Sequence, residues 1–155
     1  MYLLTFPLTI INLFFLHMGY FCLGIDEEYF YIQRGNYFYK LRFYSLALGN
    51  YKTALEKFGS TDQFLKPSIA YCYLVLGNYI QSQKLYREAY LVSKHPDILV
   101  GLVCAELNLG NDEAGIHIFE ELLSKKNEFT EYHKEEVIRI QDQMLQDKII
   151  KEKYV

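Results

Sequence analysis

The sequence predicts an all-α chain: an α-solenoid of three helical hairpins closed by a C-terminal capping helix and preceded by an apolar N-terminal segment. Three observations predict it. Beyond Glu27 the apolar residues recur at the three-and-four spacing of one helix face, and strand-like alternation is absent over any useful length. The breaks are short, at Gly59-Ser60-Thr61-Asp62, Gly77-Asn78, Lys94-His95-Pro96, Gly110-Asn111 and Lys126-Asn127. Small and ring-bearing residues also return in phase, at an interval of 35 and then of 33 residues.

Composition sets the bounds. A chain of 155 residues can bury one sizeable core and has no room for a second large domain. Its 51% hydrophobic content, with 15 Tyr and 11 Phe, excludes disorder for most of the length. A net charge of −3 and a pI near 5.8 argue against a binder of phosphate backbones, so nucleic acid is not an expected partner.

Taken in order, the first element is the run from Met1 to Ile25, which holds no Asp, Glu, Lys or Arg before Asp26, Glu27 and Glu28 arrive together. A stretch of about 20 apolar residues can cross a bilayer, and residues 1–24 read as a signal peptide or membrane anchor. Cys22 and Gly24 suit cleavage after Gly24, while Pro7 and the lack of a preceding Lys or Arg depart from the usual signal. Lipid attachment at Cys22 and a buried helix are further readings; for the former, Phe21 stands where a small residue is favoured. In the exported readings the acidic flank stays on the far side of the membrane, and the working part is extracytoplasmic, whether secreted, periplasmic or anchored.

The hairpins come next, at 28–62, 63–95 and 96–129. Gly-Asn-Tyr occurs at Gly35, Gly49 and Gly77, but the separation of Gly49 from Gly77 is 28 and that of Gly77 from Gly110 is 33, which one regular stack cannot accommodate. The consistent register instead matches Leu41-Arg42-Phe43-Tyr44 with Leu76-Gly77-Asn78-Tyr79 and Leu109-Gly110-Asn111-Asp112. In it Gly35, Ala47 and Ala54 let two helices approach, and Tyr31, Phe38, Tyr44 and Tyr51 fill the space around them. The second unit keeps Ala70, Tyr73, Gly77, Tyr86 and Ala89, with Ser82 at a small place. The third keeps Leu99, Leu102, Gly110, Gly115 and Phe119, but Val103 and Leu122 replace small residues and Glu106 replaces a tyrosine, which predicts a looser last interface. At 130–155 a capping helix is expected, with Thr130 as its N-cap and Val137, Ile138, Ile140, Met144, Leu145 and Ile149 on one apolar side.

This register resembles the tetratricopeptide repeat, a helix-turn-helix of about 34 residues, over roughly Glu28 to Asn127. The resemblance implies a non-enzymatic protein-interaction adaptor or scaffold that binds a protein or peptide segment in the concave groove of the first helices. By repeat position that groove takes Tyr29, Ile32, Gln33, Asn36, Tyr39 and Lys40 from the first unit, and Phe64, Pro67, Tyr71, Leu74 and Val75 from the second. The third contributes Asp97, Val100, Cys104, Leu107 and Asn108. The family's clamp for a chaperone carboxylate is expected to be absent, because Asn36 alone matches it while Ile32, Ser68, Asp97 and Gly101 fill its other places. The alternative occupant of the groove is the chain's own N-terminal segment, if retained, or a like subunit. An alternative function is a structural subunit of an envelope assembly that docks through the convex face or the C-terminal helix.

No residue pattern calls for catalysis, a cofactor or a metal. His17, His95, His117 and His133 are scattered without ligand spacing, and Cys22, Cys72 and Cys104 form no CxxC pair. Cys72 and Cys104 read as core or groove thiols.

Overall fold

The computed structural model describes residues 18, 19, 24 and 26–146. The expected leader at 1–24 lies outside them, apart from Met18, Gly19 and Gly24, as does the chain beyond 146. The described residues hold seven α-helices: α1 (Glu27–Lys40), α2 (Tyr44–Phe58), α3 (Leu65–Val75), α4 (Tyr79–Val92), α5 (Pro96–Asn108), α6 (Asp112–Ser124) and, after a 3-10 turn at Lys126–Glu128, α7 (Glu131–Gln146). None of them is long and apolar enough to cross a membrane. The chain divides into two compact units between Cys72 and Tyr73.

Local chemistry fixes the helix ends. The Asp26 carboxylate accepts the Glu28 amide hydrogen at 2.7 Å, and Glu27, Glu28 and Lys40 sit at the helix poles that favour their charges. Helix α2 stops at Gly59 in the left-handed region, φ 67°. Pro96 opens α5, where its missing N–H leaves no helix bond unmade. As expected, Thr130 caps α7: its hydroxyl accepts the His133 amide hydrogen at 3.4 Å, and His133 Nδ1 accepts the Thr130 amide hydrogen at 3.0 Å. His133 thus does the work of the glutamate in a capping box.

The three hairpin turns have one backbone. Arg42, Gly77 and Gly110 all lie in the left-handed region, at φ 62°, 77° and 74°. The residue after each repeats as well: Phe43 at φ −85°, ψ 65°, Asn78 at −89°, 68° and Asn111 at −87°, 59°. Its amide hydrogen is donated to Phe38, Tyr73 or Glu106 O, at 2.9, 2.9 and 3.0 Å. The register of 35 and 33 is therefore real in space, and Gly35 and Gly49 lie inside helices rather than in turns.

The same phase governs packing. Ala47, Ser82 and Gly115 are buried one turn into the second helices. Tyr51, Tyr86 and Phe119 come next at 2%, 3% and 1% exposure, then the buried Ala54, Ala89 and Leu122. In the first unit the Tyr51 ring lies so close to Gly35 that a Cβ there would fall 2.5 Å from it. In the second unit a Cβ on Gly101 would overlap the Tyr86 ring. Both glycines are in helices at a cost of about 1 kcal/mol, which the ring contact offsets.

The core of the second unit joins Leu99, Val103, Phe119 and Leu122 to Val137, Ile140 and Met144 of α7. This corrects the expectation of a loose last hairpin, since Val103 and Leu122 are fully buried. Glu106 is likewise buried but satisfied: it accepts from Gln83 Nε2 at 2.7 Å, Arg87 Nε and Nη2 at 2.9 and 2.7 Å, and Asn111 Nδ2 at 2.9 Å. A carboxylate replaces the aromatic residue of the other hairpins, Phe38 and Tyr73, because α4 and the turn supply its donors.

Candidate functional site

Twelve of the sixteen expected groove residues fall into four rows of equivalent positions on or at the start of the first helices α1, α3 and α5; Lys40, Val75 and Asn108 form a further, exposed row, and Gln33 stands outside them. The first row is Tyr29, Phe64 and Asp97; the second Ile32, Pro67 and Val100. The third is Asn36, Tyr71 and Cys104, and the fourth Tyr39, Leu74 and Leu107.

The first unit presents an aromatic face. Tyr29 is 54% and Phe64 67% exposed, while Ile32, Pro67, Tyr39 and Tyr71 are half-buried. The Tyr39 and Tyr71 ring centroids are 5.3 Å apart, and Tyr44 closes the cluster at 5.7 Å from Tyr39 and 5.9 Å from Tyr71. Asn36 Oδ1 accepts a hydrogen bond from the Tyr51 hydroxyl at 2.8 Å. Burial raises the Tyr51 phenol, which keeps it a neutral donor. Large, rigid and amphipathic side chains of this kind bury much area at small rotamer cost.

The second unit presents no such face in the third hairpin. Val100, Cys104 and Leu107 are 4%, 5% and 7% exposed and share one cluster with Val137, Ile140 and Met144. Leu74 packs against the same cluster. Helix α7 also makes polar contacts with two of the rows. His133 donates from Nε2 to Asp97 Oδ1 at 2.8 Å, since its Nδ1 accepts from Thr130. Arg139 Nη2 donates to Cys104 Sγ at 3.4 Å. Val100, Cys104 and Leu107 are therefore core, covered by the chain's own C-terminal helix, whereas Asp97 and Asn108 of the same hairpin are exposed.

Cys72 and Cys104 are free, buried thiols. Burial pushes Cys72 up to about 12 and raises Cys104 as well, so neither is a reactive thiolate near neutral pH. Among the described residues no three His, Cys, Asp or Glu side chains are grouped to hold a metal ion. His95 caps α5, His117 is exposed, and His133 is structural.

Sequence reasoning missed which face α7 meets. The signal was partial: His133, Val137, Ile140 and Met144 stand at steps of four, three and four, which marks a buried stripe without naming its partner. It also missed the exposed, positive-φ Arg42.

No protein-family model matches the sequence, and no curated protein sequence matches it. Solved structures do match. The tetratricopeptide domain of Sgt2 from Aspergillus fumigatus superposes with a TM-score of 0.64 at 16% identity, covering 79% of this chain and 82% of its own. The Arabidopsis OM64 tetratricopeptide domain gives 0.62 at 18% identity, covering 74% and 94%. The second tetratricopeptide domain of human RPAP3, solved by NMR in complex with an HSP70 peptide, gives 0.58 at 23% identity, covering 70% and 90%. The fold is that of the tetratricopeptide repeat.

Proposed function

We propose that the chain is a non-enzymatic protein-interaction adaptor that captures a partner segment on the aromatic face of its first unit. The observation that carries this reading is the Tyr39, Tyr44 and Tyr71 cluster held by α1, α2 and α3, with the exposed Tyr29 and Phe64 near the starts of α1 and α3. The RPAP3 domain bound to a peptide supports the same use of the fold. Affinity comes from ring burial on a preformed surface. The third hairpin takes no part, because α7 occupies its face.

Tyr39→Ala combined with Tyr71→Ala should abolish partner capture, measured by co-purification from the native host, while helical circular dichroism is retained. Undiminished capture would remove the reading.

An extracytoplasmic location is part of the proposal and is supported by the charge-free run from Met1 to Ile25. The mass and N-terminal residue of the protein from its native host decide it: loss of residues 1–24 or a lipid on Cys22 supports export, and an intact unmodified chain in the soluble cytoplasmic fraction contradicts it. The envelope-subunit reading draws on Ile138 and Tyr132 of α7, which are 58% and 47% exposed. Substitution of both by aspartate would release the protein from such an assembly and leave adaptor binding untouched.

A further inference from the structure

The first hairpin turn departs from the other two at the positions where departure is least favourable. All three turns need a left-handed residue and then one near φ −87°, and the second and third supply Gly-Asn. The first supplies Arg42 and Phe43. An arginine at φ 62° carries the steric penalty that glycine avoids. Phe43 is 53% exposed and makes no ring contact among the described residues.

Nothing among the described residues of the unit compensates. Elsewhere in it Lys52 pairs with Glu56 and Lys57 with Glu27, each at 3.4 Å, and Arg34 lies over the Phe30 and Phe38 rings. The exposed side chains of Lys40 and Arg42 have no hydrogen-bond or ion-pair partner among the described residues. Strain kept at an exposed cation with no internal partner is the pattern of a residue retained for what it binds.

We propose that this turn is a recognition element for a carboxylate side chain of the partner segment. Arg42 and Lys40 receive the carboxylate, and an apolar side chain beside it on the segment lies on Tyr39, Tyr44 and Tyr71. The turn joins two of the three residues whose rings build that cluster, since the Arg42 amide donates to Tyr39 O at 2.9 Å and Tyr44 opens the next helix. Two cations are too few for a phosphate polymer, which engages roughly six to ten. They also fall short of the clusters of about four to eight that hold a protein on an anionic membrane. A peptide carboxylate needs only one bidentate arginine. The inference rests on the proposed partner-binding role of the first unit and adds a salt-sensitive component to it.

The test is an array of synthetic dodecapeptides in which each acidic peptide is paired with a copy carrying Asn and Gln for Asp and Glu, probed with the full chain at low salt. The wild type should bind the acidic member of its best pairs about tenfold more tightly. Arg42→Gly should remove that discrimination while raising the melting temperature, because it relieves the turn; Arg42→Lys, which keeps the charge and loses the bidentate fork, should keep only part of it. If Arg42→Gly stabilises the fold and leaves the discrimination intact, the proposal is overturned. Arg42-dependent binding to phosphatidylglycerol vesicles with no acidic-peptide preference also overturns it. Equal binding of acidic and amide peptides sinks the turn alone, whereas binding of no peptide sinks the aromatic-face reading with it.

Discussion

The opening helices of the first and third hairpins hold the same repeat positions and meet opposite surroundings. On α1, Tyr29 is exposed and Ile32, Asn36 and Tyr39 are half-buried; on α5, Val100, Cys104 and Leu107 are covered by α7 and Asp97 is bonded to His133. The difference lies less in hydrophobicity than in the element that comes after each hairpin in the chain. The third must cover its flank and does so with a helix that reaches the equivalent rows, while the first keeps large tyrosines, each with a polar tip that water can satisfy. Repeat position therefore does not by itself assign a binding role.

The contrast can be broken from the covered side. Ile140→Ala, at a fully buried position, should cost about 3 kcal/mol through the lost methylenes and the cavity they leave, read from urea denaturation. An effect under a quarter of that would mean α7 is only loosely seated. Gly101→Ala places a methyl against the Tyr86 ring and should cost about 2 kcal/mol by overpacking. The similarly close approach of Tyr51 to Gly35 predicts a matching loss for Gly35→Ala, so unequal losses would show that the two crossings differ in rigidity.

Alkaline pH acts on Cys72 and Tyr51 of the first unit. Burial raises Cys72 from its ordinary value of 9.0 to about 12, and it raises Tyr51 also. Below the unfolded value both states hold the proton and pH has no leverage. Above it the unfolded chain loses the proton first, so stability falls as pH rises from about 9 toward 12. Cys72→Ala should flatten part of that fall in thermal melts; an unchanged slope would locate the alkaline sensitivity elsewhere. The smallest expected effect is Asn36→Ala, about 1 kcal/mol from the bond to Tyr51, with no change at the third hairpin.

The repeat was legible because close helix crossings and left-handed turns admit few residue types. Ala47, Ser82 and Gly115 record the crossings, and Gly77 and Gly110 record two of the turns. The remaining turn was legible only by phase, since Arg42 hides it and Gly49, a helix residue with nothing within 4 Å of its Cβ position, imitates it. The positions of the rows were legible from the repeat phase on all three hairpins, but what surrounds them was not. Val100, Cys104 and Leu107 are apolar whether they face a partner or a core, and which of these holds depends on a helix some thirty residues further along the chain. Glu106 misled for a related reason: its donors Gln83 and Arg87 lie on another helix and are invisible to local periodicity.

The most direct measurement compares alkylation by iodoacetamide at one repeat position on the two faces. With Cys22 and Cys72 replaced by alanine, native Cys104 is set against Tyr71→Cys in a Cys104→Ala background, 33 residues earlier in the same row. The thiol introduced at 71 should react at least about tenfold faster than Cys104, whose burial suppresses both access and the thiolate. Equal rates, with Cys104 labelled as readily in the folded protein, would contradict a third hairpin closed by its own C-terminal helix.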